Sequence, residues 1–182
     1  MVDARLHRRS LACLLALLAN GAASAATQGT LGGTSSGSVV INASVPNRIE
    51  LTGLTDVSLL NQDPTVDALS AQNVCVWSNT NTKGYYVTAT GSGTASAFTL
   101  SNGTTIVPYN VEWAGSSGQS AGTPLVTATA LHGLVSTATN PTCVAGPSSS
   151  ASLVVKIPSP NLQAMQPATT YTGTLTLVVA PE

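Results

Sequence analysis

The chain has 182 residues, of which 7% are charged and 43% are hydrophobic, and its formal net charge is −1. Globular proteins carry about 25% charged residues. This composition argues against a nucleic-acid binder with a basic surface and against a helical bundle, because both need many charged residues. A polar fraction made mostly of Thr, Ser, Asn and Gly predicts instead an all-β domain with glycine-marked turns.

The N-terminus has the three parts of a secretory signal peptide. An arginine-rich start precedes the apolar residues 11–19, and the small residues Ala23-Ser24-Ala25 follow. We predict that residues 1–25 are removed on export, because the apolar run is too short for a membrane-spanning helix. The remaining chain has three basic and six acidic side chains, a formal net charge of −3.

Removal of the signal peptide leaves two cysteines, Cys75 and Cys143. Two cysteines in an exported chain predict one disulfide, since oxidising compartments preserve such bonds. This disulfide would close a loop of about 68 residues and contribute roughly 4 kcal/mol to stability. A metal site is not expected, because His132 is the only remaining histidine and no Cys-x-x-Cys is present. No cofactor is expected either.

The sequence after the signal peptide predicts three segments. Residues 26–37 are rich in Gly, Ser and Thr and predict a flexible leader. Residues 38–46 alternate between apolar and polar side chains, which predicts a half-buried strand. The apolar face of this strand consists of Val39, Ile41, Ala43 and Val45. Residues 47–182 form the predicted body.

About nine strands with turns every 8–15 residues, and no convincing helix, predict a β-sandwich for the body. Asn102-Gly103 between two apolar runs predicts a tight hairpin. Residues 55–73 and 139–150 are predicted to be long loops. The predicted body strands are residues 48–54, 74–77, 85–90, 98–100, 105–107, 109–113, 125–134, 153–157 and 171–179.

Residues 118–122 match the G-x-S-x-G pattern of a nucleophilic serine, with Ser120 at its centre. That pattern needs a strand-to-helix turn, and the hydrolases that use it place an acid between the serine and the histidine. Here a predicted strand follows the pattern, and no acid lies between Ser120 and His132. We therefore interpret the match as chance in a surface loop and predict that the protein is not an enzyme.

Two other features allow a binding role. Asp56, Asp63 and Asp67 lie in one predicted loop, but they lack the spacing and the terminal Glu of an EF-hand, so calcium binding there is left open. Five aromatic residues could line a sugar-binding face or fill the core of a sandwich, and the core is favoured. They are Trp77, Tyr85, Tyr86, Tyr109 and Trp113.

The order in which several short motifs occur is specific, although each motif alone is weak evidence. An alternating strand follows the signal peptide, and a first body strand comes directly after it. A Cys-bearing strand then precedes a Tyr/Val strand that ends in Gly. A Leu-x-Asn segment, a Val-x-Tyr-Asn-Val strand and an alternating terminal strand complete the order. These motifs are residues 37–45, 48–51, 74–77, 85–93, 100–102, 107–111 and 171–179.

This order resembles subunits of the archaic (sigma-type) chaperone–usher pili, which share the spore-coat-U type domain. The resemblance implies an immunoglobulin-like, pilin-type sandwich that lacks one strand. A periplasmic pilus chaperone would fill the gap first, and the N-terminal strand of a neighbouring pilus subunit would then replace it. The family places its first cysteine where this chain has residues 48–50, which favours a divergent or minor subunit.

The resemblance therefore implies a structural subunit of a surface fimbria, exported through the periplasm and assembled at an outer-membrane usher. The polymerising residues would be Val39, Ile41, Ala43 and Val45, and the finished fimbria would contact a host or abiotic surface. The alternative is a self-contained secreted β-sandwich that acts as an adhesive or carbohydrate-binding domain. In that case residues 38–46 would fold back into their own sheet.

Overall fold

The computed structural model describes residues 25–182, so the predicted signal peptide lies almost wholly outside the described residues. The chain divides into two units, Met1–Val45 and Pro46–Glu182. In the described part of the first unit, Thr27 and Ser38 exchange two backbone hydrogen bonds, of 2.9 and 3.0 Å, around a turn. All residues from 25 to 45 are exposed, and residues 39–48 belong to no strand. The strand predicted at 38–46 therefore stays a prediction.

The regular structure of the second unit is almost entirely β-strand, with one short α-helix and one 3-10 turn at Thr94–Ser96. Its strands are β1 (Ile49–Thr52), β2 (Ala68–Ser78), β3 (Gly84–Gly91), β4 (Thr99–Ser101), β5 (Ile106–Pro108), β6 (Asn110–Ala114), β7 (Thr123–Pro124), β8 (Ala130–Val135), β9 (Ala151–Ile157) and β10 (Leu175–Pro181). The helix, α1 (Ser159–Gln163), begins with a proline in its first turn, a position where the missing N–H costs nothing.

Two antiparallel sheets form the sandwich. One has the strand order β1-β2-β9-β6-β7, and the other has the order β10-β3-β8. The strands β4 and β5 form the hairpin predicted around Asn102-Gly103. Inward-facing side chains from both sheets make one core, including Val74 on β2, Val87 on β3 and Val111 on β6, each at most 1% exposed. The predicted all-β, immunoglobulin-like sandwich is confirmed.

Several predicted boundaries are wrong, and the strand predicted at 171–179 begins only at Leu175. The loop predicted at 55–73 ends early, because β2 begins at Ala68 and pairs with β9 through Val74. The strand predicted at 125–134 begins only at Ala130. The helix α1 lies in a proline-bounded stretch for which no helix was predicted, and its Leu162 is buried against the core. In each case a partner distant in sequence decides the local structure.

The predicted disulfide is present. The sulfur atoms of Cys75 and Cys143 lie 1.97 Å apart, and their Cα atoms are 5.9 Å apart. Both residues are buried, and Ala138 and Trp77 pack beside them. The bond ties the end of β2 to the predicted loop at 139–150, which contains no strand or helix.

Candidate functional site: an apolar groove between two unpaired edges

A long groove of about 1230 Å³ opens on the body between the two sheets. Its floor is apolar and comes mainly from β9, whose side chains Leu153, Val155 and Ile157 face into it. Other apolar groups complete the lining, among them Leu100, Tyr109, Leu162 and Met165. Small-molecule pockets measure about 300–1,000 Å³. The volume of this groove exceeds that range and suits a peptide segment better than a small ligand.

One wall of the groove is the segment that follows β1. Residues 54–62 belong to no strand or helix, and their lining side chains include Leu54, Val57 and Leu60. Within the described chain, no backbone N–H of residues 56–60 donates a hydrogen bond. This wall therefore has backbone donors at residues 56–60 that are unpaired within the described chain.

The opposite wall is β10 and the residues just before it. Leu175 and Leu177 face the groove. The strand β10 is the last strand of its sheet, and among the described strands it pairs only with β3. In an antiparallel pair, alternate N–H and C=O groups point away from the partner, so the other side of β10 has unpaired groups. Such an edge is a template for one more strand.

The groove is nearly uncharged. Asp56 is its only charged lining residue among those the structure describes. Burial raises the pKa of the Tyr109 phenol on the floor, so this group stays neutral. An apolar, uncharged lining favours an occupant without charges, because a charge placed there would lose hydration without gaining a partner.

The predicted polymerising residues lie on the other unit of the chain. Val39, Ile41 and Val45 are 70%, 86% and 80% exposed, and Ala43 is also exposed. Large aliphatic side chains at alternate positions of one exposed segment are a feature of surfaces that bind a partner. Their assigned role remains untested in the structure of a single chain.

The sequence does not predict the groove, because residues 54–62, which form one wall, lie in a segment predicted to be a loop. One signal was present in β2. Val74 and Val76 face the core, whereas the inward positions two and four residues before Val74 hold Gln72 and Ser70. A polar side chain at an inward position costs free energy unless it is hydrogen-bonded, so these residues indicate a departure from a continuous apolar core.

The G-x-S-x-G loop folds over the outer face of the first sheet. The N–H of Gly118 donates to Asn73 Oδ1 at 2.6 Å, and the N–H of Gly122 donates to Glu112 Oε2 at 2.8 Å. Gly118 has a φ of +78°, which favours glycine. Gly118 is therefore explained by its backbone conformation, and Gly122 by its close approach to Trp113, where a Cβ atom would lie 2.5 Å from the carbonyl oxygen. Ser120 is exposed at the surface.

The other candidate residues lie apart from the groove floor. His132 pairs with Glu182 at 3.0 Å and stacks on Tyr86. Asp67 pairs with Lys156 at 2.9 Å, and the carboxylate of Asp63 accepts hydrogen bonds from Thr65. Residues 25–182 contain no group of three or more metal-ligating side chains.

Three of the five candidate aromatic residues are in the core, as the favoured interpretation predicts. Tyr85, Trp113 and Tyr109 are 0%, 1% and 6% exposed. Trp77 and Tyr86 are half-buried. No helix in the described range is long and apolar enough to cross a membrane.

Comparison with solved structures finds similar chains, and one of them is part of a fimbrial complex. It is described as a chaperone–tip adhesin complex that is vital for synergistic activation of CFA/I fimbriae biogenesis. The alignment has a TM-score of 0.44 and 15% identity, and it covers 75% of this chain and 41% of that chain. This chain thus spans less than half the length of the matched chain, and the assignment of the fold rests on the sheets themselves. No protein-family model and no curated protein matches the sequence.

Proposed function

We propose that the protein is a non-enzymatic structural subunit of a surface fimbria, and that its groove receives residues 38–46 of another copy as an added strand. The observation that carries this proposal is the apolar groove between two walls with unpaired backbone groups. A strand placed there would bond to the edge of β10 on one side and to residues 56–60 on the other. It would also complete the sandwich by covering the apolar floor.

The length of the donor segment suits the groove. The strand β10 has seven residues, and residues 38–46 make nine. At about 3.3 Å per residue, nine extended residues span roughly 30 Å. The donor segment is therefore long enough to pair along the whole of β10.

The side-chain pattern of the donor segment suits the groove as well. Val39, Ile41, Ala43 and Val45 would face the floor, and Asn42 and Ser44 would face solvent. Each buried Val or Ile contributes about 1.5–3 kcal/mol. Residues 38–46 have no charged side chain, in keeping with the nearly uncharged lining. A shift of one residue would turn Asn42 and Ser44 inward, so the register is defined.

The partners follow from the same geometry and from the family resemblance. A subunit with an open groove needs a temporary occupant, which we propose is a strand of a periplasmic pilus chaperone. Export past the periplasm to an outer-membrane usher and assembly with neighbouring subunits would follow. The predicted signal peptide and the disulfide, which suits an oxidising compartment, support this route.

The test compares two single substitutions in the full-length chain, expressed with candidate chaperone and usher proteins. Ile41→Asp would place an unpaired charge on the apolar floor, and we expect it to abolish surface polymers. Asn42→Asp would place the same charge on the solvent side, and we expect near-normal polymers. The readouts are electron microscopy of cells and the multimer ladder on gels.

A direct binding measurement uses the Ile41→Asp chain as an acceptor that cannot donate. A labelled peptide of residues 38–46 is expected to bind to it, and the same peptide with Ile41→Asp is not. Normal polymers from the Ile41→Asp chain, or a wild-type chain that is a stable monomer without any chaperone, would contradict the proposal. A stable monomer would favour the self-contained adhesive sandwich.

A further inference from the structure

The pairing of β1 with β2 stops abruptly where the groove begins. The last pair is Thr52 with Cys75. If the antiparallel register continued, Thr55 would lie opposite Gln72. Instead the chain turns at Gly53, whose φ of +81° is in the left-handed region. A residue with a side chain is strained in that conformation, so glycine at this position ends the pairing.

The side chain of Gln72 replaces the missing backbone partner of Thr55. Gln72 Oε1 accepts hydrogen bonds from the Thr55 N–H at 2.8 Å and from the Thr55 hydroxyl at 3.0 Å. Gln72 Nε2 donates to the Thr55 carbonyl oxygen at 3.1 Å. An amide side chain offers one acceptor and two donors in a plane, much as a peptide group does. Thr55 is thus paired at the residue expected from the register, but one side-chain length farther from β2.

We propose that Gln72 and Gly53 are positioning residues that hold the segment after β1 away from β2, so that its backbone faces an incoming strand. This inference rests on the proposed function. An apolar residue at this inward position of β2 would contribute to the core, whereas a polar one costs free energy unless it is hydrogen-bonded. The three bonds to Thr55 satisfy that requirement and define the wall of the groove.

Without the Gln72 side chain, the segment after β1 has an alternative partner for its backbone. Along residues 68–74, β2 pairs with β9 on one side, and no strand of the described chain pairs with that stretch on the other. An extended segment beside an open edge tends to pair with it. Loss of the Gln72 amide would let residues 54–60 pair with β2, and the donor strand would then lose one of its two edges.

The test is Gln72→Val in the full-length Ile41→Asp chain, with the labelled peptide of residues 38–46 as the ligand. Valine has no amide and favours a paired strand. We expect the peptide to bind at least about tenfold more weakly, a change of about 1.4 kcal/mol. In the peptide-free chain, we expect the backbone amides of residues 54–60 to exchange more slowly with solvent, because they become paired. A general loss of stability would make these amides exchange faster, so the two causes are distinguishable.

The matched control is Gln119→Val, in the loop on the outer face of the first sheet. The Gln119 side chain bonds only to the carbonyl oxygen of Ser117 within the described chain, and peptide affinity should not change. If Gln72→Val does not fold, Gln72→Glu provides the test. It keeps the acceptor for the Thr55 N–H and loses the donor to the Thr55 carbonyl, so a smaller loss of affinity is expected.

Unchanged affinity and unchanged amide exchange in a folded Gln72 variant would overturn this inference and leave the proposed function intact. Failure of the Ile41→Asp parent chain to bind the peptide would overturn the proposed function, and this inference with it.

Discussion

The indole Nε1–H of Trp113 donates a hydrogen bond to the hydroxyl of Tyr85 at 3.1 Å in the centre of the sandwich. Trp113 lies on β6 in one sheet, and Tyr85 lies on β3 in the other. Burial raises the pKa of the Tyr85 phenol, and the bond from Trp113 opposes that rise only in part. The bond therefore joins the two sheets through a neutral hydroxyl, and it satisfies the one polar group that the indole brings into the core.

Tyr85→Phe should destabilise the body by about 1–3 kcal/mol, because the Trp113 N–H would be buried without a partner. Urea denaturation of the exported full-length chain measures this change. Tyr86→Phe is the control, since Tyr86 is half-buried and packs on His132 with ring centroids 5.0 Å apart. It should change stability by no more than about 0.5 kcal/mol. An equal loss in both variants would show that the inter-sheet bond contributes nothing.

Gly122→Ala should destabilise the body, whereas Ser120→Ala should leave its stability unchanged, although both residues belong to the G-x-S-x-G loop. A Cβ atom at Gly122 would lie 2.5 Å from the carbonyl carbon and oxygen of Trp113, so the loop would have to move off β6. Overpacking of this kind costs about 1–3 kcal/mol. Ser120 is exposed, and its loss should change stability by less than about 0.5 kcal/mol. Thermal unfolding measures both, and any hydrolytic activity lost with Ser120→Ala would contradict a non-enzymatic role.

Lowering the pH should weaken the contacts at the C-terminal end of β10, because Glu182 becomes protonated. The Gly133 N–H and His132 Nδ1, each 3.0 Å from the Glu182 carboxylate, lower the pKa of this carboxyl below its ordinary value of 4.5. A lowered pKa in the folded state means that the ionised form stabilises the fold. This contribution is present above the unfolded-state pKa and is lost as the pH falls through the folded-state value.

The measurement is the thermal midpoint of the wild-type chain and of Glu182→Gln between about pH 5 and pH 3. We expect the difference between the two chains to shrink as the pH falls, because protonation removes the same interaction as the substitution. Glu50→Gln, on the exposed face of β1, is the control. A constant difference between wild type and Glu182→Gln across this range would rule out the titration.

Several features of the fold could be predicted because their causes are local. The Asn102-Gly103 turn determines the β4–β5 hairpin, in which Leu100 pairs with Val107. The alternation of Val111 and Trp113 determines which face of β6 is buried. The disulfide followed from the count of cysteines, because only two remain after the predicted signal peptide.

The groove depends on contacts between distant residues. Its floor comes from β9, and its walls come from residues 54–62 and from β10, more than 100 residues later. No local pattern specifies that Leu175 and Val57 line the same groove, because the two residues are far apart in the sequence. The polar residue Gln72 was visible in the sequence, but its meaning depended on the register that places it opposite Thr55.

The sequence by itself therefore determined the all-β class, the Asn102-Gly103 turn and the disulfide, because composition, period and spacing act within a few residues. The strand at 38–46 stays a prediction. Only the tertiary structure decided where the sandwich is open, because an open edge exists only where strands from distant parts of the chain fail to meet. Gly53 ends the pairing of β1, Gln72 holds the following segment apart, and β10 has no second neighbour among the described strands. The groove is the result of these three features together.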